Sequence, residues 1–133
     1  MCGIYGIYSR EFLGESKLRR VHDIGDVLKH RGPDGEGFWY KDNIALGHRR
    51  LSIIDVTDSG VQPMHYKKGR YTIAYNGEIY NFIELRNKLK QKGYVFNSNT
   101  DTEVIIAAYD FWGENCLDKF NGMWAFSLWD SKE

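Results

Sequence analysis

The order in which extended and helical segments alternate most narrows the folds open to this chain. Short apolar runs of strand length lie at residues 2–8, 37–40, 44–48, 51–56, 70–75 and 123–129. Between them, Leu18, Val21, Ile24 and Leu28 recur at helical spacing, which predicts a helix over 17–29. It ends at His30-Arg31-Gly32-Pro33-Asp34-Gly35, where Gly and Pro stop helices and make turns. Two more helices follow. One runs over 81–92, with Asn81 as N-cap, Glu84 three residues on and Gly93 past its end. The other runs from Thr100 to about Trp112, with Glu103 repeating the cap arrangement and Gly113 as the stop. Residues 2–8 read as a strand buried on both faces, Asp42-Asn43 and Lys67-Lys68-Gly69 as turns, and 57–64 as loop. Strand, helix, strands, helix, helix, strand predicts an α+β fold, an antiparallel sheet with helices packed on it.

Composition agrees. Nine Tyr, seven Phe and four Trp with fourteen Gly and only two Pro favour strands joined by tight turns. With 133 residues, 18 basic against 18 acidic side chains and a net charge of +0, the chain has no field to recruit nucleic acid or an anionic membrane. No apolar run approaches bilayer length, and no basic region precedes the apolar N-terminal residues as in a signal peptide. Two cysteines are too few for a disulfide scaffold, so a cytoplasmic location with reduced thiols is expected. His22, His30, His48 and His65 have no metal-ligand spacing, and there is no Gly-rich phosphate loop. No metal or nucleotide is expected on this chain. It stops directly after a strand, which suggests a domain incomplete at its C-terminal end.

Four places could carry chemistry. Removal of Met1 would leave Cys2 with both a thiol and a free α-amine. An α-amine titrates near ~8 and a thiol near ~8.5, so one residue can supply nucleophile and base. Composition alone favours the plainer reading of Cys2, a small apolar residue opening a buried strand. Asn76-Gly77-Glu78 follows a strand, and a turn there could aim the Asn76 amide and the Gly77 N–H at one spot, as an oxyanion hole requires. A plain hairpin turn is the common fate of Asn-Gly, although here a helix follows. In Arg49-Arg50-Leu51-Ser52, an arginine could hold a carboxylate with its fork, or the pair could be a solvated surface feature. Asp101 opens a helix, where acids favour the macrodipole, and it could also accept from a substrate ammonium. Cys116 reads as core packing.

Together these segments are more specific than any one of them. Met1-Cys2-Gly3-Ile4, His30-Arg31-Gly32-Pro33-Asp34, His48-Arg49-Arg50-Leu51-Ser52-Ile53-Ile54-Asp55, Tyr75-Asn76-Gly77-Glu78-Ile79-Tyr80-Asn81, Thr100-Asp101-Thr102-Glu103 and Asn121-Gly122-Met123-Trp124-Ala125-Phe126 cover nearly the whole chain. In their order and approximate spacing, the chain resembles the N-terminal glutaminase domain of class II glutamine amidotransferases, in its asparagine synthetase branch. The resemblance implies an αββα sandwich of two antiparallel sheets of the Ntn-hydrolase type. It implies hydrolysis of L-glutamine through a thioester on Cys2, with oxyanion donors at Asn76 and Gly77. The substrate carboxylate falls on Arg50 and its ammonium on Asp101, and main-chain groups around Leu51, Ile53, Ile54 and Glu78 line the pocket. It implies an ammonia-accepting synthetase domain as partner, with ATP and Mg on that domain and no cofactor here, and a homodimer as a candidate assembly. Two alternatives stay open: the same chemistry feeding ammonia to another carboxylate or a sugar acceptor, and a catalytically silent fragment.

Overall fold

A computed structural model describes residues 2–51 and 60–132. Its strands are β1 (Gly3–Tyr8), β2 (Gly35–Lys41), β3 (Ile44–Arg50), β4 (Met64–Tyr66), β5 (Tyr71–Ile79) and β6 (Gly122–Asp130). Its helices are α1 (Glu15–Val27), α2 (Phe82–Gln91) and α3 (Asp101–Trp112), with a 3-10 segment at Gly113–Lys119. The strands form two antiparallel three-stranded sheets, ordered β1-β3-β2 and β4-β5-β6.

Strand alternation sorts the side chains into four layers. On β3, Ala45 faces α1 with Val21 and Leu13, while Ile44 and Leu46 face the other sheet and meet Ala74 of β5. On β5, Tyr71, Ile73, Tyr75 and Ile79 pack against Leu85 and Leu89 of α2 and Val104 to Ala108 of α3. The layers therefore run helix, sheet, sheet, helix pair, which is the αββα sandwich. Helix α3 is buried over most of its length, so its apolar surface extends around the helix rather than forming one stripe.

Several local expectations give way to tertiary contacts. The run at 2–8 is not buried on both faces: Tyr8 is exposed, and only Gly3 of β1 is fully buried. Asn76-Gly77 is no turn but the continuation of β5, with Asn76 opposite Ala125 and Gly77 opposite Trp124 on β6. Pairing with a partner strand outweighs the local Asn-Gly preference. Asn81 occupies the N-cap position of α2, but its side chain makes no cap bond. Its amide donates to the Lys119 carbonyl and accepts from the Asn121 N–H, joining the start of α2 to the approach to β6. At α3 the Thr100 hydroxyl does accept from the Glu103 N–H. The Glu103 carboxylate, however, accepts from the N–H groups of Asn97 and Ser98 and from the Ser98 hydroxyl, pinning the preceding loop instead of closing the box. Strand β4, three residues paired with β5, lies where the loop was expected to end. The extended segment expected after Leu51 and the first part of that loop lie outside the described residues.

Arg49 is no solvated surface arginine. Its side chain is buried on the α1 face of β3, where Nε donates to the Gly25 carbonyl at 2.7 Å and the fork pairs with Asp26 and Glu36. Between the sheets, His48 of β3 is 1% exposed, and its Nε2–H donates to the Tyr75 carbonyl of β5 at 3.1 Å. Burial pushes the imidazole down to about 4, Arg50 adding to the effect and the Tyr75 bond opposing it.

Arg49→Met keeps the aliphatic stem and removes the fork. It should cost about 1–3 kcal/mol in urea unfolding, chiefly through the buried Gly25 bond. Glu36→Gln, on the solvent side of the pair, should cost less than about 1 kcal/mol. His48 gives a pH signature of definite sign. Its folded value lies below the ordinary imidazole value, so between about 6.5 and about 4 the unfolded chain binds a proton that the folded chain does not. Its contribution is complete above that window and is lost as pH falls through it, by up to about 3 kcal/mol. His48→Gln retains a donor without titrating in this range. Its urea midpoint should fall less steeply with acid; equal slopes for both proteins would remove His48 from the acid response.

Candidate functional site

The candidate residues come from three strands and one helix end. Cys2 immediately precedes β1 and shares the parity of Ile4, which lies in the layer between the sheets. The Leu51 N–H donates to Cys2 Sγ at 3.3 Å, and the thiol lies 3.6 Å from the Leu51 carbonyl oxygen. The partly buried Cys2 is thus held against the backbone just beyond β3. Cys116 is fully buried in the helix-side core, where burial pushes its thiol up to about 11. The two sulfurs therefore differ in access.

Arg50 ends β3 on the same face as His48 and Leu46, toward the second sheet, and Arg49 points away from it. The turn before β2 supports this strand end. Gly32 sits so close that an added Cβ would lie 2.3 Å from the Arg49 carbonyl carbon and oxygen, so only Gly fits. The Asp34 N–H then donates to the Arg50 carbonyl at 3.0 Å. The His30-Arg31-Gly32-Pro33-Asp34 segment is therefore a buttress for the end of β3.

On β5, Asn76 and Glu78 share the face of Ala74, toward the first sheet, while Tyr75 and Ile79 face the helices. Gly77 lies so close to β6 that a Cβ would stand 2.4 Å from the Met123 carbonyl oxygen and 2.6 Å from the Trp124 Cα. Any side chain there would push the paired strands apart. Asn76 Oδ1 is buried and has no hydrogen-bond partner among the described residues.

Asp101, 4% exposed, opens α3 behind this strand. Its Oδ2 accepts from the Tyr75 hydroxyl at 2.7 Å and from the Ile79 N–H at 3.0 Å. Burial and then the Asp101 charge push the Tyr75 hydroxyl far up, so it stays a donor; Glu78 and Cys2 add to the shift. Tyr75 is thereby within electrostatic reach of Asp101, Glu78 and the nucleophile candidate together.

The structure therefore gathers Cys2, Arg50, Leu51, Asn76, Gly77 and Glu78 where the end of β3, the start of β1 and the far part of β5 approach, with Asp101 directly behind β5. Ile53 and Ile54 lie outside the described residues. Three residues at the site were not singled out from sequence: Tyr75, His48 and Gln62. Tyr75 and His48 lie inside quoted motifs, but nothing local separates them from ordinary strand residues, and Gln62 lay in an expected loop. A concave surface of about 890 Å³ lies elsewhere, between β4 and the loop leading to α3, lined among others by Tyr66, Lys68, Tyr94 and Glu103.

A family model described as a glutamine amidotransferase domain matches residues 1–133. Asparagine synthetase (glutamine-hydrolyzing) 1 of Bacillus subtilis is 41% identical over 135 residues, a match covering 100% of this chain and 21% of that protein. Asparagine synthetase B (glutamine-hydrolyzing) of Escherichia coli is 38% identical over 133 residues, 100% of this chain and 24% of that protein. The chain thus spans about a fifth to a quarter of the length of these relatives. Among solved structures, glutamine phosphoribosylpyrophosphate amidotransferase from B. subtilis superposes with a TM-score of 0.78 over 98% of this chain and 35% of that one. At 21% identity that likeness speaks for the fold alone, two antiparallel sheets between helices. By the family match over its whole length and by its two antiparallel sheets between helices, this chain belongs to the glutamine amidotransferase domain family.

Proposed function

We propose that this domain hydrolyses L-glutamine to glutamate and ammonia through a thioester on Cys2. The observation that carries the reading is the Cys2 thiol seated on the Leu51 N–H, one residue past Arg50 at the end of β3. Once Met1 is removed, the α-amine of Cys2 takes the thiol proton, and the sulfur adds to the side-chain carbonyl carbon of glutamine. The carbonyl oxygen gains negative charge and is met by the Asn76 amide and the Gly77 N–H. As the C–N bond breaks, the proton held by the amine leaves with the nitrogen as ammonia. Water, deprotonated by the same amine, then adds to the thioester carbon, releasing glutamate and restoring the thiol.

Recognition of a free amino acid needs two opposite charges a short distance apart. Arg50 supplies the fork for the α-carboxylate and Asp101 the carboxylate for the ammonium, with backbone groups of Leu51 and Glu78 framing the pocket. One Asp101 oxygen accepts from the Tyr75 hydroxyl and the Ile79 N–H, which holds the carboxylate against β5. The relatives are named asparagine synthetases, so the ammonia is proposed to pass to a synthetase domain that makes asparagine from aspartate and ATP. ATP and Mg belong to that domain, and the chemistry here requires no cofactor. A thiol nucleophile suits the reducing cytoplasm. Among the described residues no helix is long and apolar enough to cross a membrane.

Glutamate release from glutamine tests the reading. Cys2→Ala should abolish turnover, and an electrophilic glutamine analogue should label Cys2 and spare Cys116 in peptide maps. Asn76→Ala should lower kcat about 10²–10³-fold with a smaller change in KM, because an oxyanion donor acts as charge develops. An unchanged kcat would make Asn76 a strand residue only. For the charge clamp, Arg50→Lys and Asp101→Asn should each lower kcat/KM about tenfold or more. Lys should not rescue, since a point charge cannot reproduce the planar fork. Normal kinetics in both variants would remove the proposed pocket.

A further inference from the structure

Strand β5 outruns its neighbour. β4 ends its pairing at Met64 opposite Ile73, so on that side the peptide groups of Tyr75 have no strand beside them. Two side chains take its place. His48 donates to the Tyr75 carbonyl from the first sheet, and Gln62 accepts the Tyr75 N–H on Oε1 at 2.6 Å. Gln62 is 6% exposed, and its Nε2 donates to Thr102 Oγ1 at 3.3 Å, in the first turn of α3 beside Asp101. Its backbone is wedged as well: a Cβ on Gly37 of β2 would lie 1.9 Å from the Gln62 carbonyl oxygen. One amide thus joins the strand carrying Asn76 and Gly77 to the helix start carrying Asp101, from a base fixed on the first sheet. Asn76 makes this matter, because no described residue bonds its amide oxygen. Its direction depends on the backbone just before it, where Gln62 holds the N–H.

We propose that Gln62 is a positioning residue for amide hydrolysis: through the Tyr75 N–H it fixes the Asn76–Gly77 donor pair relative to Asp101, so that both ends of glutamine are met at once. The proposal rests on the glutaminase reading. Without Gln62 the buried Tyr75 N–H loses its acceptor, and the strand shifts to find another or water. A shift below 1 Å is enough to misplace an oxyanion donor while ground-state binding, set by Arg50 and Asp101, persists.

The test uses steady-state glutaminase kinetics in the full-length polypeptide. Gln62→Met matches the side-chain length and removes both bonds. It should lower kcat about ten- to a hundredfold, while glutamine Kd, measured by calorimetry in a Cys2→Ala background, stays within about threefold. Thr102→Val removes only the anchor and should lower kcat in the same direction by less, and Thr102→Ser should restore the wild-type rate. A kcat unchanged in Gln62→Met overturns the proposal, as does a loss shared equally between kcat and Kd, the mark of general disruption. If Gln62→Met does not fold by circular dichroism, the Thr102 pair decides, and equal rates for Val and Ser overturn the proposal. A wild-type protein that releases no glutamate from glutamine refutes the glutaminase reading itself, whatever the variants do.

Discussion

A strand that extends past its partner exposes peptide N–H and C=O groups, and in a closed layer each of these must be bonded or the layer opens. Tyr75 of β5 is where this chain meets that requirement. Its N–H goes to Gln62, its carbonyl to His48 and its hydroxyl to Asp101, while Phe126 of β6 lies opposite it. Those contacts come from the loop before β4, the first sheet, α3 and the second sheet. Three of the four layers, the two sheets and the helix pair, are registered against one another through this residue, and the candidate site lies one residue further along the same strand.

Placing the site beside such a junction has a physical logic. Reacting groups held by separate elements need those elements fixed to within a fraction of an ångström. Apolar packing alone allows small slides. The cluster of Ile44, Leu46 and Ala74 sets the spacing of the sheets but has little directional preference. Hydrogen bonds across the layers supply direction. His48 serves this purpose as a neutral donor, which its burial favours at physiological pH. Asp101 does so with one carboxylate oxygen tied to two groups of β5. The adjacent arginines divide the labour by strand parity: Arg49 fastens α1 to the outer face, and Arg50 is turned inward.

How much of this was legible from the chain varies with the range of the interaction. Helices α1 and α3 were readable because apolar spacing and the Thr100–Glu103 start are local. The Asp42-Asn43 hairpin was readable for the same reason, with Asp42 in the left-handed region at φ 50. The Asn76-Gly77 reading failed because a local turn preference was weighed without the partner strand, which lies more than forty residues away. The Asn81 side-chain cap failed likewise, since the partners of that side chain at Lys119 and Asn121 are distant in sequence. The candidate residues Cys2, Arg50, Asn76, Gly77 and Asp101 were reached by their motif context. Spacing alone assigned none of them, because each had an ordinary structural alternative.

By itself, the sequence determined the number and order of most elements, the α+β class, the absence of a charge field for nucleic acid, and the residue types that a thiol-based amide hydrolysis needs. These depend on short-range periodicity, on composition and on side-chain chemistry, all present in an unfolded chain. Only the tertiary structure decided that Asn-Gly continues a strand, that β4 forms, that Arg49 is buried while Arg50 faces the second sheet, and that Gln62, His48 and Asp101 converge on Tyr75. Those outcomes depend on which distant groups come within hydrogen-bond distance once the two sheets stack. Burial then makes an unpaired polar group costly enough to override what each segment would prefer alone.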